Sequence, residues 1–204
     1  MKSLLLILLL TCSLAAQPTG REAHLRELTR QGFRVSRSLP LRTVRGLRPV
    51  SEIGQRLLAL HAVALWVAAP VERWSDAQVR DYVQRWQLEK ALTSEESAIL
   101  KLSRAVARER HLDDIGWKLE NVWSLAWVCG FDLQPGIRGQ FAGADLRRLV
   151  FEWLPGPEAS AQERFLKGLK LRPVGEGGAV HERRHALTWC LSPGVSWSDT
   201  DLST

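Results

Sequence analysis

Trp117-Lys118-Leu119-Glu120-Asn121-Val122-Trp123-Ser124-Leu125-Ala126-Trp127 is the stretch on which the fold turns. In an α-helix Trp117, Glu120, Trp123 and Trp127 share one face, which sets a carboxylate inside a tryptophan stripe. A buried carboxylate costs several kcal/mol, on the order of 3–5, when it lacks a partner, so an arginine is expected against Glu120. The chain repeats the pattern near its end. Glu182, Ala186 and Trp189 fall on one helix face with Arg183 beside them, and Arg56 on the first long helix is a further cation candidate. Arg56, Glu120, Glu182 and Arg183 therefore form the candidate polar set. They read as buried ion pairs that fix helix register or, alternatively, as the walls of a ligand pocket.

Helical spacing extends outward from this stretch in both directions. Arg21 to Gln31 reads as a short polar helix stopped by Gly32, and Ser36 to Pro49 as an extended crossing segment. Ser51 is a candidate N-cap for a helix carrying Ile53, Leu57, Leu60, Ala64 and Val67 on its apolar side as far as Pro70. Ser75 opens a helix through Leu88, with Val79, Val83 and Trp86 along one side. Thr93 or Ser94 followed by Glu96 opens another through about Arg110. Asp113 or Asp114 opens the tryptophan helix, and Gly130 suits its C-terminal cap. Asp132 to Gly143 reads as a loop, 144–154 and 160–169 as helices, Gly175 to Gly178 as a hinge, and Ala179 to Leu191 as the last helix. Period-two alternation over a strand length is absent. The expectation is an all-α protein: one compact multi-helix domain after a cleaved N-terminal signal.

The signal is Met1 to Ala16, with Lys2 as the positive start, Leu4 to Leu10 as the apolar run and Ser13-Leu14-Ala15 as the cleavage site. It implies an exported protein, periplasmic or secreted. Leu9-Leu10-Thr11-Cys12 is similar to a lipobox, which makes Cys12 a candidate lipidation site and the protein a candidate lipoprotein. Residues 17–50 follow as a basic arm, and 51–204 as the helical domain, with 17–204 one folding unit. Eight arginines and two acids between Arg21 and Val50 account for the whole +6 net charge of the chain. The arm lacks interleaved aromatics that would stack bases, and export argues against nucleic acid, so a solvated face with local ion pairs is the expectation. Contact with a membrane follows only from lipidation at Cys12. Cys129 and Cys190 remain in the mature chain, either as a disulfide or as two buried free thiols.

The eye-catching motif lies in the last helix. His181-Glu182-Arg183-Arg184-His185 spells the H-E-x-x-H of zinc proteases, with both histidines on one helix face and Glu182 placed as a base. A third ligand is required. In the extended form of the motif, Thr188 occupies the glycine position and Leu191 the third histidine, and no glutamate follows Glu182. Asp199 and Asp201 alone remain, so His181, His185 and Asp199 are the candidate metal set of an alternative reading. No phosphate-cradling glycine loop and no nucleophile elbow is present. His24, His61 and His111 stand alone, and His61 reads as a core group.

The order and spacing of several elements give the chain a resemblance to a known family. These are Leu39-Pro40, Leu47-Arg48-Pro49-x-x-Glu52-Ile53-x-x-Arg56, Trp117-x-x-Glu120-x-x-Trp123-x-x-x-Trp127-x-x-Gly130, Glu182-Arg183-x-x-Ala186-Leu187-x-Trp189 and Trp197-Ser198-Asp199 with Thr204. Together they resemble the mainly bacterial family catalogued as domain of unknown function 4272. The resemblance implies no activity. It does imply that Glu182, Arg183, Ala186, Leu187 and Trp189 matter more to the family pattern than His181 and His185. The functional expectation is a non-enzymatic exported domain that binds a protein or envelope component and needs no cofactor. The competing class is a zinc-dependent hydrolase.

Overall fold

Three hydroxyl side chains set where the chain turns helical. A computed structural model describes residues 21–30, 32, 34–35, 46–131 and 176–203. The expected signal at 1–16 with Cys12, most of the extended run before Gly46, and the expected loop, helices and hinge residue between 132 and 175 lie outside the described residues. The elements are α1 (Arg21–Arg30), α2 (Val50–Ala68), α3 (Asp76–Arg85), a 3₁₀ turn (Leu88–Lys90), α4 (Ser94–Lys101), α5 (Arg104–Val128) and α6 (Glu176–Cys190). The protein is mostly helical, and no strand occurs among the described residues.

Ser75 Oγ accepts from the Gln78 N–H at 3.3 Å while Gln78 Oε1 accepts from the Ser75 N–H at 2.8 Å, a reciprocal cap for α3. Thr93 and Glu96 do the same for α4, at 3.2 and 2.9 Å. Ser103 Oγ accepts from the Val106 N–H at 3.4 Å and opens α5. This third cap corrects the sequence reading. The helix opened by Thr93 ends at Lys101 and a new one runs unbroken from Arg104 to Val128, so Asp113 and Asp114 are mid-helix residues rather than caps.

Other boundaries also move. Pro49, not Ser51, precedes the first turn of α2; its carbonyl accepts from the Glu52 and Ile53 N–H groups, so the helix starts without a side-chain cap. The helix after Ser75 stops at Arg85 because Gln87 takes a left-handed conformation, φ 52°, and Leu88–Lys90 forms a separate turn. The last helix begins at Glu176 and runs through Gly177 and Gly178, where a hinge is expected from sequence. The end of α5 is as expected: Gly130, φ 92°, lets the Phe131 N–H reach the Ala126 carbonyl and the Gly130 N–H reach that of Trp127.

Residue contacts divide the chain into residues 1–42 with Thr204, and 43–203. The first unit contains α1, whose Arg30 pairs with Glu27 at 2.6 Å on an exposed surface and which Gly32 ends by donating to the Thr29 carbonyl. The second is built on α2, which is buried on most sides and packs against α5, α3, α4 and the 3₁₀ turn, while α5 in turn packs on α6. Its apolar core has two parts. One holds Val63, Trp66, Trp74, Val79, Tyr82, Leu88, Ile99 and Ile115. The other joins Ile53, Leu57 and Leu60 of α2 to Val122, Trp123 and Leu125 of α5 and to Ala186, Trp189 and Cys190 of α6.

Two arginines close helix ends from inside the protein. Arg104 donates to the carbonyls of Trp66, at 3.0 Å, Leu65, at 2.9 Å, Ala69 and Trp74, which are the last acceptors of α2 and the turn after it. Burial lowers its pKa, and Asp76 works in the opposite direction. Arg48 donates to the carbonyls of Ser192 and Val195, both at 2.7 Å, and lies 3.9 Å over the Trp189 ring at the end of α6. A cation at a helix C-terminus meets the negative end of the dipole and the orphan carbonyls together. Arg48 is thus no part of a solvated basic face, contrary to its place in the sequence-defined arm.

Candidate functional site

Each charged residue of the candidate set finds a counterpart, and only one of the pairings is the expected one. Glu120, 2% exposed, accepts from Arg183 Nε at 2.7 Å, and the Arg183 guanidinium lies 4.6 Å over the Trp123 ring. Arg56 pairs elsewhere: it forms two bonds, 2.6 and 2.7 Å, to Glu96, and donates to the Ala91 carbonyl at 2.8 Å. Burial raises the Glu96 pKa, but the hydrogen bonds and charge of Arg56, the Thr93 N–H and Lys118 outweigh it and hold the carboxyl below its ordinary value. Glu182 pairs with an amide, accepting from Asn121 Nδ2 at 2.5 Å.

The tryptophan stripe is only partly internal. Trp123 is buried with Trp66, Trp74 and Trp189, whereas Trp117 and Trp127 are 36% and 40% exposed. Their helix also turns Glu120, Asn121 and Ser124 inward beside Trp123, so polar side chains as well as indoles are buried against its neighbours.

Two cavities share the half-buried Trp197 as part of their walls. One, of about 410 Å³, is lined by Arg48, Glu52, Gln55, Arg56, Lys90, Thr93, Ser94, Trp189, Ser196, Trp197 and Ser198, among others. The other, of about 490 Å³, is lined by Thr93, Ser94, Glu95, Glu96, Lys118, Asn121, Glu182, His185, Trp197 and Ser198. Four residues are common to both, so together they form one groove. Trp197 is held there by three neighbours: Arg56 lies 4.2 Å over its ring, His185 stacks at 4.4 Å, and Trp189 meets it edge-on at 5.3 Å.

Three buried polar atoms in the groove residues have no hydrogen-bond partner among the described residues: Arg56 Nε, Trp189 Nε1 and Asn121 Oδ1. Each such atom costs about 1–3 kcal/mol relative to its hydrated state. Groups of this kind are rare in folded proteins, and each calls for a partner such as a water, an ion or a ligand.

The zinc set is not brought together. His181 is exposed, and the Asp199 carboxylate accepts from Ser196 Oγ at 2.6 Å. His185 Nε2 lies 3.0 Å from the Trp197 carbonyl oxygen, which can only accept, so this nitrogen carries the ring proton. Among the described residues no group of three or more His, Cys, Asp or Glu side chains could hold a metal ion. Cys129 and Cys190 are free thiols here, both set in the second part of the core. Burial, then the neighbouring Cys129, pushes Cys190 up to about 12. His61 is a core residue, bonded through Nδ1 to the Tyr82 hydroxyl at 3.0 Å, although its Nε2 has no partner among the described residues.

Sequence reasoning missed Glu96, Asn121 and Lys118 as site residues, and Arg48 and Arg104 as buried caps. Glu96 carries a signal in retrospect. It is the glutamate of a capping box, and only the fold reveals that the same carboxylate faces Arg56 from inside.

The family profile described as Domain of unknown function (DUF4272) matches residues 21–177, and the chain belongs to that family. The match ends before Glu182, so the Glu182–Trp189 stretch of the sequence resemblance lies beyond it. Among curated proteins and among solved structures, none matches the chain. No helix among the described residues is long and apolar enough to cross a membrane.

Proposed function

We propose that this protein is an exported, non-catalytic binding domain whose binding element is the polar groove flanking Trp197. The observation that carries the reading is the set of three buried, unpartnered polar atoms in residues lining one groove. A purely structural role for Arg56, Asn121 and Trp189 would leave their desolvation uncompensated. The envelope-component partner expected from sequence becomes, on this geometry, a small polar ligand. The combined cavity volume suits one, and the serine hydroxyls and carboxylates along it offer directional contacts. The side chains of the histidine motif support binding as well, since His185 and Glu182 orient Trp197 and Asn121 rather than standing open.

A thermal-shift screen of small polar metabolites against the mature protein, repeated with Trp197→Ala and Asn121→Leu, tests the reading. A compound that raises the melting temperature in a concentration-dependent way, and does so less in both variants, supports it. A screen without hits, or hits indifferent to both substitutions, overturns it. So does stoichiometric zinc in protein purified without chelator or a His-tag, if that zinc disappears in His185→Ala, because such a result would favour the hydrolase.

A further inference from the structure

The groove is charged oppositely at its two ends, and its unpartnered atoms have the matching polarity. The cavity that includes Lys90 carries three cations, Arg48, Arg56 and Lys90, against Glu52. The second cavity, also walled by Trp197, carries three carboxylates, Glu95, Glu96 and Glu182, against Lys118. Arg48 is already committed to Glu52 and to backbone carbonyls, and Arg56 and Glu96 to each other. The cation with no ion pair among the described residues is Lys90, which is exposed; at the other end Glu182 accepts from Asn121 and Glu95 lies 3.8 Å from Lys118, and each carboxylate keeps further lone pairs for a ligand. The unpartnered atoms at the Lys90 end, Arg56 Nε and Trp189 Nε1, are donors. The one at the Glu182 end, Asn121 Oδ1, is an acceptor. Arg56 and Asn121 are both 98% buried and Trp189 nearly so, which means that solvent does not satisfy them.

Resting on the groove reading, we infer that the ligand is a short peptide with both termini free, its carboxylate at the Lys90 end and its ammonium at the Glu182 end. A single amino acid holds its two charges too close together to use both cavities. An extended tripeptide separates them by about 7–10 Å, at roughly 3.3–3.6 Å per residue. Its middle residue then crosses the Trp197 ring, and the hydroxyls of Ser94, Ser196 and Ser198 lie along the same path. Each terminal charge makes charge-assisted hydrogen bonds, so loss of either is expected to weaken binding about tenfold or more.

Isothermal titration with trialanine, N-acetyl-trialanine, trialanine amide and free alanine tests this. Trialanine is expected to bind, each singly blocked peptide about tenfold or more weaker, and alanine weaker still. Lys90→Gln is expected to weaken trialanine while leaving the amide unchanged, and Glu182→Gln to weaken trialanine while leaving the N-acetyl peptide unchanged. The exposed Glu95→Gln replaces Glu182→Gln if the latter melts early. Equal affinity for blocked and free peptides, or Lys90→Gln acting on the amide as strongly as on trialanine, overturns the inference. If no peptide binds while another compound shows groove-dependent shifts, the peptide inference fails and the groove reading stands. If nothing binds at all, both fail.

Discussion

His61 is an imidazole enclosed in an apolar helix, and burial pushes it down to about 3. The folded state therefore excludes a proton that the unfolded chain takes up below its ordinary value of 6.5. Stability is complete above that value and falls as pH drops towards 3, at up to about 1.4 kcal/mol per pH unit. Glu96 adds a second loss further down: its folded pKa is depressed, so its contribution is present above the ordinary carboxylate range and lost as pH falls through the depressed value. Thermal melts between pH 7.5 and 5 should show the first slope, and His61→Leu should flatten it. The Glu120–Arg183 pair makes a different residue-scale prediction. Glu120→Gln removes the charge facing a buried guanidinium, and about 3 kcal/mol of stability should go with it. The double variant Glu120→Met with Arg183→Met should recover most of that loss, which a denaturant double-mutant cycle measures. The arginine partner of Glu120 is legible in sequence because burying a carboxylate demands one. The partner of Glu182 is not, because an amide satisfies a carboxylate without leaving any charge pattern to detect.

Helix ends differ in how much they reveal. Gly130 marks the end of α5 in sequence, since only glycine takes its left-handed conformation at no steric cost. The break between α4 and α5 hides in Ser103, a common residue whose capping role competes with that of Asp113 and Asp114. The glycines of α6 mislead in a related way. Gly178 reads as a hinge, yet it is helical, and a Cβ built there would run into the Trp117 ring. The glycine lets α6 lie close against α5. Gly178→Ala should therefore destabilise by about 1–2 kcal/mol despite alanine's higher helix propensity. In a Trp117→Ala background the obstruction is gone, and the same substitution should stabilise by about 1 kcal/mol. Paired denaturant titrations of the four proteins decide it. A loss of equal size in both backgrounds would assign the glycine another role.

At the scale of the molecule, the all-α class follows from apolar spacing alone, and the structure agrees. The groove does not follow, because its walls come from α2, α4, α5, α6 and the segment after α6, which only the packing brings together. Arg48 is the clearest instance: it bonds to carbonyls more than a hundred residues away, at Ser192 and Val195. Shortening the chain after Leu191 removes those acceptors and the Trp197 ring together. Such a variant should melt well below the full chain and lose ligand-dependent shifts, as paired thermal melts would show. The two parts of the core differ in the same respect. The first is assembled wholly from residues between Leu58 and Ile115, whereas the second needs Ala186, Trp189 and Cys190. Synthesis runs at about 5–20 residues per second, so the two halves become complete several seconds apart. A nascent chain can therefore settle its first core early yet expose an open apolar face until its final turns emerge.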